Sequence, residues 1–155
     1  MTTERVVKIL KFYNTIPSEI TLRRNRINEL EDRYNTLGAV NMDGMPRSGA
    51  IGDQTGNTVV RLDANHESAL SEIKGLEDEI FRLQNLEQYI FCSLKQLPYH
   101  PKMVVYRMYI DGWNLIKIAY NLHYSERQCR RFKSEALNLL SIQFERCPLM
   151  SGFPM

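Results

Sequence analysis

The chain reads as all-α, and three observations carry that reading. Two long stretches space their apolar residues three and four apart, the repeat of one helix face. A third stretch, after Pro98, breaks into short apolar helical patterns separated by tight turns at Asp111-Gly112 and His123-Tyr124. The apolar fraction of 43% and the mixed charges are ordinary for a folded protein, which excludes wholesale disorder and a fibrous repeat. With 155 residues there is room for one small domain attached to an elongated helical element.

The first stripe runs Tyr13, Ile16, Ile20, Ile27, Leu30, Tyr34 and Leu37, with Arg23 taking the one polar seam position. Pro17 and Ser18 interrupt its start, so the pattern predicts a short first helix and then a longer one, capped near Ser18 and stopped by Gly38. Residues 38–57 hold five of the eight glycines and Pro46, with no apolar period. This is the composition of a flexible connector. Its Gly-x-x-x-x-Gly spacings lack the Gly-Lys-Ser/Thr of a phosphate loop.

The second stripe reads Leu62, His66, Ala69, Ile73, Leu76, Ile80, Leu83, Glu87, Ile90, Leu94 and Leu97, a heptad seam about five repeats long. Such a helix is about 50 Å long, too long for a small domain to bury, so it must pair with another helix. Its partner is either the N-terminal helix folded back as an antiparallel hairpin or the same helix of a second chain. Closed symmetric assemblies are common, so we expect a homo-oligomer, a dimer first, with Leu62, Ala69, Ile73, Leu76, Ile80, Leu83 and Ile90 as its contact residues. Asp78 precedes Arg82 by four, the orientation that supports a helix. Phe81, Leu86, Tyr89 and Phe91 widen the apolar surface and suggest that the lower end of the coil packs onto the C-terminal domain.

Pro101 suits the first residue of a new helix, one that buries Val104, Val105, Met108 and Tyr109 and ends at Asp111-Gly112. Trp113 to Leu122 forms the next helix, with Leu115, Ile118, Ala119 and Leu122 inward. After the His123-Tyr124 turn, Ser125 caps the last helix, and Gln128 three residues on completes a capping box. Cys129, Phe132, Ala136, Leu137 and Leu140 fall on one side of it. Arg127 and Arg131 fall opposite, Gln128 and Arg130 flank them, and Lys133 sits at the margin of the apolar face. A charged face is ordinarily just solvated. Here the basic residues occupy the first turns of a helix that follows a tight turn, where a recognition helix enters the major groove. Arginine can fork onto guanine and glutamine onto adenine, while Lys133 and Lys117 are placed to meet phosphates. The charge distribution agrees, since residues 1–98 hold 12 Lys/Arg against 14 Asp/Glu whereas 99–155 hold 8 against 4. The partner expected for this segment is double-stranded DNA.

We therefore divide the chain into a helical coiled-coil oligomerisation region, 1–97, containing the loop 38–57, a helix-turn-helix domain, 98–146, and a tail, 147–155. Cys92, Cys129 and Cys147 are odd in number and widely spaced, which suits buried free thiols in a reducing cytoplasm. No apolar run approaches a membrane span. The scattered histidines and the absence of legible paired carboxylates or a nucleophile arrangement argue against an enzyme, and no catalytic residue, cofactor or metal ligand is assigned.

The string Tyr109-Ile110-Asp111-Gly112-Trp113 to Ile118-Ala119, then Leu122-His123-Tyr124-Ser125 and Cys129-Arg130-Arg131, resembles region 4 of sigma factors and its phage relatives. Cys129 departs from the Val or Ile usual at its position. With the N-terminal helix, the loop containing Met45-Pro46-Arg47 and Asp53-Gln54-Thr55, and the long coil, the chain looks like a phage late-gene transcriptional regulator of the RinA/ArpU type. The resemblance covers most of the chain and is specific over residues 99–142. It implies activation of packaging and lysis genes by binding upstream DNA in the bacterial host cytoplasm, with contact to host RNA polymerase. Two other readings fit the same layout: a small-terminase-like packaging protein, and an adaptor that docks on RNA polymerase and touches DNA little.

Overall fold

The computed structural model describes residues 1–38 and 54–147, with side chains for 1–33 and 67–147. The chain is all-α, as its sequence predicts, and no strand occurs among the described residues. The helices are α1 (Thr3–Tyr13), α2 (Ile16–Gly38), α3 (Gln54–Lys95), α4 (Tyr99–Val105), α5 (Leu115–Leu122) and α6 (Glu126–Glu145), with a π-helical turn, Tyr106–Ile110, continuing α4. Among the described residues no helix is long and apolar enough to cross a membrane. Most of the expected loop 38–57 lies outside the described residues, as do the tail beyond Cys147 and the side chains of Leu62 and His66. The loop boundary itself needs correcting. Gln54 to Asn57 already belong to α3, and their polar, glycine-containing sequence carries no apolar period by which to detect a helix.

The start of α2 also differs from expectation. It begins at Ile16, two residues before Ser18, and the break falls at Asn14-Thr15. Pro17 therefore sits in the first turn, where its missing N–H loses no helical bond. In the same way α4 starts at Tyr99, so Pro101 lies within its first turn rather than opening it, and Lys102 N donates to Pro98 O at 3.0 Å.

Two compact units result, and they do not divide at 97/98. One comprises Met1–Ser18 with Arg82 onward, the other Glu19–Phe81. The expected division is corrected because α1 packs on α6 and on the π turn, with Val6, Ile9 and Leu10 fully buried. The end of α3 joins the same core through Leu86, Ile90 and Leu94. There Tyr89 Oη donates to Gln143 O at 2.8 Å, and its ring lies 6.2 Å from that of the fully buried Phe144. Ile90, expected from the heptad seam to be an oligomerisation residue, is wholly inside this core and cannot meet a second chain. Leu86 and Tyr89 do pack as the sequence suggests, but Phe81 and Phe91 are exposed.

The turn between α1 and α2 contributes a cap that sequence patterns do not reveal. Asn14 Nδ2 donates to Tyr109 O at 2.7 Å and to Ile110 O at 3.3 Å, satisfying carbonyls that the end of a helix leaves without partners. The π turn itself closes with Asp111 N donating to Tyr106 O at 3.3 Å, after which Gly112 turns the chain at φ +70°. A Cβ at Gly112 would meet nothing within 4 Å, so the objection to a side chain is conformational alone. Gly112→Ala is expected to cost about 1 to 2 kcal/mol, read as a lowered midpoint in urea unfolding with unchanged slope.

In the second unit α2 and α3 run antiparallel, tied by Arg23 Nε to Glu79 at 2.7 Å and Arg26 Nη2 to Glu72 at 3.0 Å. Arg23 also reaches Glu19 at 2.6 Å, and hydrogen bonds to Glu19 and Glu79 raise its already high pKa. This explains the polar break in the first stripe: a fixed positive charge there reaches sideways to the neighbouring helix. Pairs this exposed contribute little stability each and act chiefly on register. Ile20 and Leu30 are buried, while Ala69, Ile73, Leu76 and Ile80 are half-buried. The antiparallel hairpin, one of the two pairings open from sequence, thus forms within the chain. Leu83 is likewise half-buried, in the first unit. The expected Asp78–Arg82 contact is not among the ion pairs of the described residues.

The two units differ in charge. Glu19–Phe81 carries 7 Lys/Arg against 12 Asp/Glu, net −5, whereas the remaining residues carry 13 against 6, net +7. The overall charge of +2 conceals this separation.

Candidate nucleic-acid interface

A small core positions α5 and α6. Val104, Ile118, Ala119 and Cys129 are buried together, with Met108, Trp113, Leu115, Leu122 and Phe132 packed around them. Ala119 and Cys129 are small enough for helices to cross closely. Burial, aided by the Glu126 carboxylate, raises the Cys129 thiol pKa, so this sulfur behaves as an apolar packing atom. All three cysteines are free, but Cys92 is exposed, contrary to its expected burial.

The turn between the two helices has a specific cap. His123 adopts the left-handed conformation at φ 56°. Tyr124 N donates to Ala119 O at 3.0 Å and His123 N to Tyr120 O at 3.4 Å, the paired bonds of a Schellman motif. An aromatic trio then fixes the turn: His100 stacks on Phe132 with ring centres 5.5 Å apart, and Tyr124 meets both rings edge-on at 5.4 Å. Tyr124 Oη lies 3.3 Å from His100 Nδ1. The sequence places these three residues in a helix break, a turn and a helix face, and their separations follow no repeat that would bring them together.

Ser125 Oγ accepts from Gln128 N at 3.2 Å, the serine half of the expected capping box, and thereby fixes where α6 begins. Asn114 does the same for α5, its Oδ1 accepting from Lys117 N at 2.8 Å. This corrects the expected start of α5: Trp113 lies outside the helix, its backbone N–H donates to Arg107 O at 2.9 Å, and two cations lie over its ring. Arg107 is 4.9 Å and Lys117 4.1 Å from the ring centroid, and Arg107 also donates to Asn121 Oδ1.

On the outward side of α6, Arg127, Arg130 and Arg131 are exposed, and Gln128 and Lys133 are half-buried. Arg130 shares its charge with Glu126 at 3.5 Å. Lys133 Nζ lies 5.8 Å from the centroid of the Tyr109 ring. Neither Arg127 nor Arg131 has an ion pair among the described residues, and as an i, i+4 pair they lie one above the other on a single side of the helix. Three arginines within two turns of a helix N-terminus oppose the helix dipole, at about 0.3 to 1 kcal/mol for each charge close to the end. Glu126 offsets part of this. An anion at the same place would be favoured by both the dipole and the guanidinium groups. The structure thus brings Arg127, Gln128, Arg130, Arg131 and Lys133 together on α6, with Ser125 as its cap, and sets Lys117 on α5. No protein-family model, curated protein or solved structure matches this chain.

Proposed function

We propose that the chain is a sequence-specific binder of double-stranded DNA that regulates transcription. One observation carries this reading: two arginines without an ion pair among the described residues, with a third beside them, stand in the opening turns of a capped helix that follows a tight turn. In that position the N-terminal residues of a recognition helix reach base edges. Supporting it, the unit to which this helix belongs is net +7, and such a surplus attracts the phosphate backbone whatever the sequence. The likeness to sigma region 4 and to RinA/ArpU-type regulators adds the biological setting. In it the protein acts in the bacterial host cytoplasm, as a dimer and in contact with host RNA polymerase, to activate late packaging and lysis genes.

Selection from a random duplex pool tests the reading. The expected result is enrichment of a single motif, bound at least about a thousandfold more tightly than random duplex at physiological salt. A reporter placed downstream of that motif should then respond to the protein. A pool that remains random after repeated rounds would contradict the proposal.

A further inference from the structure

We propose that two copies of the acidic unit pair through the stripe Leu70, Lys74, Glu77 and Phe81 of α3, antiparallel about a two-fold axis between Gly75 and Leu76. All four residues lie within Glu19–Phe81 and all are exposed, Leu70 at 51% and Phe81 at 64% of full accessibility. Their separations of four, three and four keep them on one face of the helix. Each stands one residue beyond a member of the half-buried seam, Ala69, Ile73, Leu76 and Ile80, and so is turned about 100° away from it. The seam and the glutamates engaged by Arg23 and Arg26 serve the hairpin with α2. The stripe is a second heptad-like repeat that the hairpin does not use.

Charge complementarity decides the occupant. The stripe reads apolar, cation, anion, apolar, and neither Lys74 nor Glu77 has an ion pair among the described residues. A parallel copy would set Lys74 against Lys74 and Glu77 against Glu77, which is repulsive. An antiparallel copy sets Lys74 against the partner's Glu77 and Leu70 against the partner's Phe81. Both pairs are centred on the same point, between Gly75 and Leu76, so one register satisfies them together. The neighbouring Asp78, also exposed and without an ion pair among the described residues, falls one residue from the level of the partner's Lys74 and adds to that attraction. Because the axis generates each contact twice, the face is self-complementary and closes as a dimer rather than extending as a fibre. A face that carries two large apolar side chains per copy gives a small contact, and small contacts make reversible dimers.

This contact deepens the dimer of the proposed function, and its test contains no DNA, so the two can fail separately. Sedimentation velocity of the full chain should show a monomer–dimer equilibrium that weakens as salt is raised. Lys74→Glu and Glu77→Lys should each raise the dissociation constant by about tenfold or more, since each puts two like-charge contacts into the dimer. The double variant Lys74→Glu/Glu77→Lys restores opposite charges and should return to within about threefold of the wild type. Phe81→Ala removes an apolar contact at both ends of the stripe and should also weaken the dimer by about tenfold or more. All three positions are exposed, and circular dichroism checks that the helices persist. A wild type that stays monomeric at every concentration, a dimer indifferent to the single reversals, or a double variant that is not rescued would each overturn this contact. A chain that dimerises in this way yet enriches no duplex would overturn the regulator reading alone.

Discussion

Changing both Arg127 and Arg131 to alanine should reduce affinity for a selected duplex by about 2 to 6 kcal/mol, if each arginine forks onto a base at about 1 to 3 kcal/mol. The expectation rests on the absence, among the described residues, of a competing carboxylate at either side chain. Arg130, 3.5 Å from Glu126, must give up part of an existing contact to reach DNA and should matter less. The salt dependence separates two kinds of contact. Loss of base readout should relax preference at particular positions of the site and leave the salt slope nearly unchanged. Loss of phosphate contacts should weaken every duplex alike and reduce the slope by about one for each contact. Folding should be unaffected, because both side chains are exposed and point away from Cys129 and Ala136, which are fully buried. Fluorescence anisotropy titrations of both proteins at several salt concentrations measure all three quantities.

Phe144→Ala should destabilise the first unit by about 3 to 5 kcal/mol, the usual loss when a buried phenylalanine is truncated. Phe144 is wholly inaccessible, and its ring lies 6.2 Å from that of Tyr89. The Tyr89 hydroxyl in turn holds Gln143 O. Removing the ring opens a cavity between α6 and the end of α3. Against a total stability of about 5 to 15 kcal/mol for a typical domain, that is a large share. Urea unfolding at constant pH should show the midpoint fall with little change in slope. A loss below about 1 kcal/mol would mean that the site collapses onto the vacancy, and that the α3–α6 contact does not hold the unit together.

The C-terminal helices are legible in the sequence because their signals are local. Gly112 stands where a positive φ is needed, Ser125 where a capping oxygen is needed, and Ile118-Ala119 at the spacing of an inward face. The candidate site residues follow from the same logic, since a cap fixes the register of every side chain after it. The features that cannot be read depend on contacts distant in sequence. Asn14 caps carbonyls of Tyr109 and Ile110, and no pattern near Asn14 announces this. The division into units is hidden for the same reason: position in the chain groups α1 with the coil, whereas Val6, Ile9 and Leu10 are buried in the unit that holds α6. The seam of α3 is plain, but a heptad says only that a helix has a partner. The ion pairs of Arg23 and Arg26 supply the intrachain answer, and Ile90 shows that the lower part of the same seam is domain core. Trp113 reads as part of α5 because an aromatic residue next to an apolar repeat extends it by eye, although Asn114 carries the capping side chain.

The most direct measurement is a titration of isotopically labelled protein with the selected duplex, followed through backbone amide shifts. The largest changes are expected to cluster on Ser125 to Lys133, with a smaller set at Lys117, while amides of the Glu19–Phe81 unit move little. Changes centred elsewhere, or none under conditions where a random duplex also fails to bind, would contradict the assignment of α6 as the DNA-reading helix.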